Sequence, residues 1–305
     1  MMTTPKATPK YPHLNAQARQ QADLSDAERI GIIRAGGWLA LEHANATLRR
    51  FEDLLDWPRV PRMPCYLLVG PSYSGKTSIL EQFVERHPPD LDPIKEVTTY
   101  PVVMIDAPPR PDLSDFYSRI LDALMSPYKP TSPAHAKYSQ IKHLFEQLNV
   151  KVLVIDEIQH LIAGSLNRQR EFRNAIKSLG NETKVSIVAS GIEDAYNAFN
   201  ADPQMSSRFV PIEMPTWPLS RQLAGLMSEL EQRMPLRKLS GLYEPELMTA
   251  LHARSESMLG DICDLVKEAG VDAIRSGTER ITSDRLKHLD WIPPSRRKHF
   301  RRHAS

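Results

Sequence analysis

Gly70-Pro71-Ser72-Tyr73-Ser74-Gly75-Lys76-Thr77 fits the spacing G-x-x-x-x-G-K-[ST], and Ser78 follows directly. Glycines at both ends let the backbone curl so that successive amides point at phosphate oxygens, and a helix opening at Lys76 adds the positive end of its dipole. Lys76 is spaced to reach the β and γ phosphates of ATP, and Thr77 to offer its hydroxyl to Mg²⁺. Gly70, Pro71, Ser72, Tyr73, Ser74, Gly75, Lys76, Thr77 and Ser78 are therefore candidate ATP-binding residues. Tyr73 occupies a variable position of the pattern, and its ring is read as packing over the turn.

A second group of polar residues stands at the ends of apolar runs. Val152-Leu153-Val154-Ile155 leads into Asp156 and Glu157. A carboxylate at the carboxyl end of a buried strand suits a Mg²⁺-bound water, and the acid after it suits activation of an attacking water. Asp156 is assigned to the metal with Thr77, and Glu157 to general base. Acids also end strands for structural reasons, but that leaves the phosphate loop unexplained. Ser190 ends the next run, VSIVAS, where it can orient the lytic water or sense the γ phosphate. Arg208, before the last run, is placed at a domain edge within reach of a neighbouring subunit's nucleotide; an ordinary surface ion pair is the alternative. Glu157, Lys76, Arg208 and Ser190 form the candidate catalytic set. His160 imitates a helicase DExH box, but Asp156-Glu157-Ile158-Gln159-His160 is one residue too long, so it is read as structural.

Five short apolar runs must position these groups: CYLLV (65–69), VVMID (102–106), KVLVID (151–156), KVSIVAS (184–190) and FVPIEM (209–214). Helical segments between them, starting near Lys76, Leu113, Ala136, Asn167 and Glu193, predict an α/β fold with a five-stranded parallel sheet. After Pro218 the strand signal ends and Leu219, Leu223, Leu226 and Leu230 recur at helical spacing, followed by Ile262, Leu265, Val266 and Ala269, which predicts a small C-terminal all-helical lid domain. Ahead of the sheet, Ser25-Asp26-Ala27-Glu28 matches a capping box opening a short helix, and a second helix is expected over 38–55. Residues 1–24 are polar and rich in proline, predicting a mobile or partner-ordered arm without a core. The expected divisions are an N-terminal arm and short helix (1–36), an ATPase core (37–218), the lid (219–292) and a basic tail (293–305).

Composition bounds the function class. With 305 residues, 41% apolar and 25% charged, and 39 basic against 37 acidic side chains, the chain is neither disordered nor collagen-like. Its apolar runs are far short of a transmembrane helix and its start lacks a signal core, so a cytoplasmic location is expected. Cys65 and Cys263 are too few and too far apart for a metal motif and are read as buried thiols. Arg296, Arg297, Lys298, Arg301 and Arg302 crowd the C-terminus without an acid, which suits nucleic acid, an acidic partner or a solvated end equally.

GPSYSGKT, VLVIDEIQHLIAGS, QREFRNAIKSLGNE and DPQMSSRF, in that order, with the upstream YPHL, DAERI and PRMP, resemble the TniB group of transposition ATPases. These are AAA+ P-loop ATPases related to TnsC-type and MuB-type regulators, and the likeness runs from about Tyr11 to Ile281. It implies an ATP-dependent regulator of DNA transposition that oligomerises on target DNA as a ring or filament, contacts a transposase, with a targeting protein as a further candidate partner, and is reset by hydrolysis. No strand-cutting chemistry is implied. Within such an assembly, Arg168, Arg170, Arg173 and Lys177 are candidates for phosphate contact. Arg173 and Lys177, four apart on one helix face, are expected to point at a central channel, and Arg110 lies in a neighbouring loop. A solvated face partly paired with Glu171 fits the same pattern. Related ATPases carry a sensor arginine where this chain reads Met258-Leu259-Gly260-Asp261-Ile262, and Arg254 is a turn early, so slow, assembly-dependent hydrolysis is expected. A helicase-loader ATPase and a nucleotide-gated scaffold with little turnover remain open on these residues.

Overall fold

The computed structural model describes residues 10–90, 98–161 and 165–297. Helices α1 (Ala16–Gln21), α2 (Asp26–Ala35) and α3 (Glu42–Glu52) come first, then strand β1 (Cys65–Val69) and α4 (Lys76–Arg86). Next are β2 (Val102–Asp106), α5 (Leu113–Ala123), α6 (Ala134–Gln147), β3 (Val152–Asp156), α7 (Leu166–Thr183) and β4 (Ser186–Gly191). The chain continues through α8 (Glu193–Asn200), α9 (Pro203–Ser206) and β5 (Phe209–Glu213), and then α10 (Arg221–Arg233), α11 (Pro245–Ser255), α12 (Leu259–Arg275), α13 (Ser283–His288) and α14 (Pro294–Arg297). Among the described residues no helix is long and apolar enough to cross a membrane.

The contacts divide the chain into two compact units, Glu42–Pro215 and the combination of Met1–Leu41 with Thr216–Ser305. The first carries a five-stranded sheet in the order β2-β3-β4-β1-β5, with every pair parallel. All five expected strands form. Every residue of β3 and β4 is buried, as continuous apolar runs covered on both faces require. β5 pairs with β1 alone, and this edge place accommodates Pro211, which has no N–H to donate. On one face Phe116 meets Phe172 edge to face at 6.0 Å, and Phe199 meets Phe209 at 4.9 Å. Register brings Leu68 beside Ser190 and Asp106 beside Asp156, so the carboxyl ends of the central strands lie level. The reversal of strand order around β1 puts a ligand crevice at those ends.

The second unit is a helical assembly built on Leu223, Leu226, Leu251, Ile262, Leu265 and Val266, and it differs from the expected lid in including the N-terminal segment. α2 packs on α12, and Ile33 joins the apolar core. The predicted capping box is present: Ser25 Oγ accepts from Glu28 N, and Glu28 accepts from Ser25 N. Wholly buried Arg29 is gripped by both Glu279 oxygens at 2.7 Å, by Asp26 at 2.7 Å and by the Pro235 carbonyl. Buried Glu231 accepts from the amides of Ser240, Gly241 and Leu242, and so shapes the loop before α11.

Several expectations are corrected here. The stretch 10–24 is not a coreless arm: α1 forms, Asn15 caps it, and Leu14, Ala18 and Ala22, four apart, are buried together. The helix expected over 38–55 is confined to Glu42–Glu52. The tail expected from 293 begins as α14, where Arg297 pairs with buried Asp261 at 2.7 Å and lies 4.8 Å above the Trp291 ring, while residues 298–305 lie outside the described ones. Cys65 is buried with its thiol pushed up to about 11. Cys263 is half-buried rather than buried, yet desolvation pushes its thiol up to about 12.

Candidate nucleotide-binding site

The loop leaves β1 at Val69, and its first amide, Gly70 N, donates to Gly191 O at 3.2 Å. A Cβ on Gly70 would stand 2.6 Å from Met214 Cβ and 3.0 Å from Ser74 Oγ, so glycine is required by space. Tyr73 and Gly75 both have left-handed backbones, with φ of 65° and 91°, and this alternation turns consecutive amides toward one concavity. Tyr73 is 60% exposed, so its ring is not buried against the turn as expected. Lys76 is buried, and its Nζ donates to Gly70 O at 3.0 Å and Pro71 O at 2.9 Å. Burial pushes its ammonium pKa down, against the opposing pull of Glu157 and Asp156. Ser74 Oγ is buried inside the loop without a hydrogen-bond partner, a polar atom that phosphate oxygen would satisfy.

Asp156, almost wholly buried, is the hub of the site. Its Oδ2 accepts from Thr77 Oγ1 at 2.6 Å, and its Oδ1 accepts from Ser190 Oγ at 2.6 Å and Glu157 N at 2.8 Å. Three elements are tied at one carboxylate: the start of α4, the end of β3 and the end of β4. Hydroxyl and carboxylate oxygen are hard donors suited to Mg²⁺, and the ion needs few protein ligands when phosphates and waters complete its shell. Among the described residues no group of three His, Cys, Asp or Glu is placed to hold a metal ion. Glu157 sits at φ 54° with its carboxylate accepting from the Gln159 side-chain amide. Gln159 was not singled out by sequence reading. Its neighbours Ile158, His160 and Leu161 give it no distinguishing signal in the sequence, and Gly191 opposite has no room for a Cβ, which would stand 2.9 Å from Gln159 Oε1.

The remaining candidates separate. Arg208 lies before β5, where its Nη2 donates to Asn181 Oδ1 at 2.9 Å, and it has no carboxylate partner among the described residues. Arg110, Arg168 and Arg170 are exposed. Arg173 does not face an open channel: it is 9% exposed, its Nε lies 3.4 Å from Asp202 Oδ2, and its Nη1 donates to Ala198 O. The packing of α7 against the α8–α9 region takes up the face that spacing left undetermined. Lys177 donates to Gln204 Oε1 at 2.8 Å and lines a cleft with Arg208. Arg254 donates to the carbonyls of Leu286 and Leu289, which accounts for its guanidinium as a fastener between α11 and the α13 end.

A parallel sheet of this order, with a glycine loop, lysine, threonine and strand-end acids at its carboxyl edge, defines an AAA+ ATPase fold. Residues 29–219 match the family model described as bacterial TniB protein, and the chain belongs to that family. Among solved structures, it resembles Aeropyrum pernix ORC2 in ADPNP–ADP complexes (16% identity, TM-score 0.58, covering 81% of this chain and 65% of that one). It also resembles A. pernix ORC1 in complex with DNA (21%, 0.58, 82% and 65%). Domain III of the Thermotoga maritima replication initiation protein DnaA is similar as well (13%, 0.52, 84% and 95%). The chain thus spans 65% of the length of the two A. pernix proteins, and at these identities the likeness is one of fold. No curated protein sequence matches it.

Proposed function

We propose that the chain hydrolyses ATP and acts as a DNA-bound regulator of transposition, assembling with ATP on duplex DNA and recruiting or activating a transposase. The observation that carries the ATPase part is the Thr77–Asp156–Ser190 hub beside Lys76 and Glu157, all at the carboxyl ends of adjoining strands. Incoming phosphates replace Gly70 O and Pro71 O as partners of Lys76, and the loop amides of 72–78 take up the oxygens. Thr77 and Asp156 would hold Mg²⁺, which supplies neutralisation of charge on the phosphate oxygens. Glu157 accepts the proton of the attacking water as the bond from the γ phosphorus to ADP breaks, releasing ADP and phosphate, and Ser190 keeps Asp156 oriented.

Arg208 acts on a neighbour's nucleotide. It precedes β5, whereas the loop follows β1; β1 and β5 are parallel and in register from Cys65–Phe209 to Val69–Glu213, so Arg208 and the loop lie at opposite ends of the sheet. Five residues at ~3.3 Å each separate them by roughly 17 Å, too far for one side chain to meet its own γ phosphate. Turnover therefore needs a homo-oligomer, ring or filament. Exposed Arg110, Arg168 and Arg170 neutralise DNA phosphates without reading bases, and hydrolysis dissolves the assembly.

Fluorescence anisotropy of labelled duplex DNA tests the reading. Binding is expected with Mg²⁺ and a non-hydrolysable ATP analogue, to fall steeply with salt, to vanish in Lys76→Ala, and to persist longer with ATP in Glu157→Gln. Equal DNA affinity with and without nucleotide contradicts it.

A further inference from the structure

Arg62, Lys177 and Arg208 meet in one cleft of about 400 Å³, within the ~300–1,000 Å³ span of ligand pockets, on the sheet-bearing unit. The other lining residues are Asn174, Ser178, Asn181, Gln204 and Ser207, so among the described residues no carboxylate lines it. Each cation is held by a neutral oxygen: Arg62 Nη2 donates to Ser207 O at 2.5 Å and Ser207 Oγ at 2.9 Å, Lys177 to Gln204, and Arg208 to Asn181. Such partners fix position without cancelling charge, and three like charges gathered this way favour an anion. The support is built in behind them. Arg173 reaches Asp202, whose carboxylate caps α9 through Gln204 N and Met205 N, and α9 delivers Ser207 and Arg208.

We propose that this cleft receives the terminal phosphates of an ATP held by a second copy of the chain, with Arg62 a second guanidinium on that phosphate group and Lys177 a third charge beside it. The inference rests on the action of Arg208 on a neighbour's nucleotide. Arg62 precedes β1 as Arg208 precedes β5, so both lie at the strand-start end of the sheet, away from the chain's own phosphate loop. A concave, pinned array suits one compact polyanion; duplex phosphates, strung along a ridge, suit the exposed arginines instead. Arg173 is then a positioning residue for Arg208.

Mixed-subunit ATPase assays on duplex DNA decide this. Glu157→Gln keeps the cleft and the nucleotide grip, and so joins the assembly, but lacks the general base; Arg62→Ala, Lys177→Ala and Arg208→Ala keep the grip and the base and have a damaged cleft. Arg62→Ala alone is expected to turn over about 10- to 100-fold more slowly while binding an ATP analogue as wild type does, the effect of losing one charge-assisted hydrogen bond. Adding Glu157→Gln subunits restores activity, because nucleotide on the Arg62→Ala chain then meets an intact cleft. Wild-type turnover in both Arg62→Ala and Lys177→Ala, or losses that mixing does not rescue while Arg208→Ala is rescued, overturns the inference and leaves the proposed function standing. Rescue of neither Arg62→Ala nor Arg208→Ala overturns the reading of Arg208 itself. If Arg62→Ala fails to bind the analogue, Lys177→Ala carries the same test. Weaker DNA binding by Arg62→Ala without nucleotide assigns the cleft to duplex phosphate and also overturns the inference.

Discussion

In the helical unit, Arg29 is wholly buried and its guanidinium is met by carboxylates, two oxygens of Glu279 and one of Asp26; in the sheet-bearing unit, Arg208 and Arg62 are met by an amide oxygen, a carbonyl and a hydroxyl. The first cluster is neutralised and closed. The second keeps its charge and is open to solvent. A buried ion removed from water requires an opposite charge, so the Arg29 group is a structural tie, whereas cations pinned by neutral oxygens retain a field that an arriving anion completes. Damage at the two should therefore appear in different measurements.

Removing charge from the open cluster strikes chemistry. Arg208→Ala should lower DNA-stimulated turnover by roughly 10³-fold or more, as for a cation supplied to a phosphoryl transition state. Its unfolding free energy should stay within about 0.5 kcal/mol of wild type, as for surface substitutions. A comparable loss of stability in denaturant titration would erase the distinction. At the closed cluster the pattern inverts. Glu279→Gln leaves Arg29 without its main counter-charge and should destabilise the helical unit by about 3–5 kcal/mol.

The same cluster sets an acid limb. Burial alone would raise the Glu279 carboxyl, but hydrogen bonds from Arg29 and Arg237 outweigh it and hold the group below its ordinary value of 4.5. A depressed carboxyl contributes stability that is complete above the ordinary value and is lost as pH falls through the lowered one. The melting temperature of wild type should therefore drop on acidification below about pH 4.5 more than that of Glu279→Gln. Parallel acid limbs would show that Glu279 is not the group responsible.

What could be foreseen follows the reach of each interaction. The phosphate loop, the strand-end acids and the five strands are local patterns, carried by spacing within a few residues, and the structure has them where spacing placed them. The Ser25–Glu28 box is local in the same way. α1 escaped notice because Ala18 is its one buried residue, grouped with Leu14 and Ala22 at its flanks, and alanine adds little apolar signal. Arg173 and Lys177 do share a helix, but periodicity states which residues lie together and not what lies opposite. Asp202 and Gln204, brought by α9, decided that. Arg62 had no visible role because its partner Ser207 is 145 positions away in sequence. Gln159 was hidden for a different reason: an amide two residues from an acid is unremarkable until the left-handed turn at Glu157 folds one onto the other.

The shared nucleotide site is tested most directly by electron cryo-microscopy of the protein assembled on duplex DNA with Mg²⁺ and a non-hydrolysable ATP analogue. The expected map has the γ phosphate, cradled by residues 70–78 of one copy, within hydrogen-bond distance of Arg208 and Arg62 of the adjoining copy. A map in which that cleft faces solvent or the DNA backbone, with no neighbouring nucleotide in reach, contradicts it.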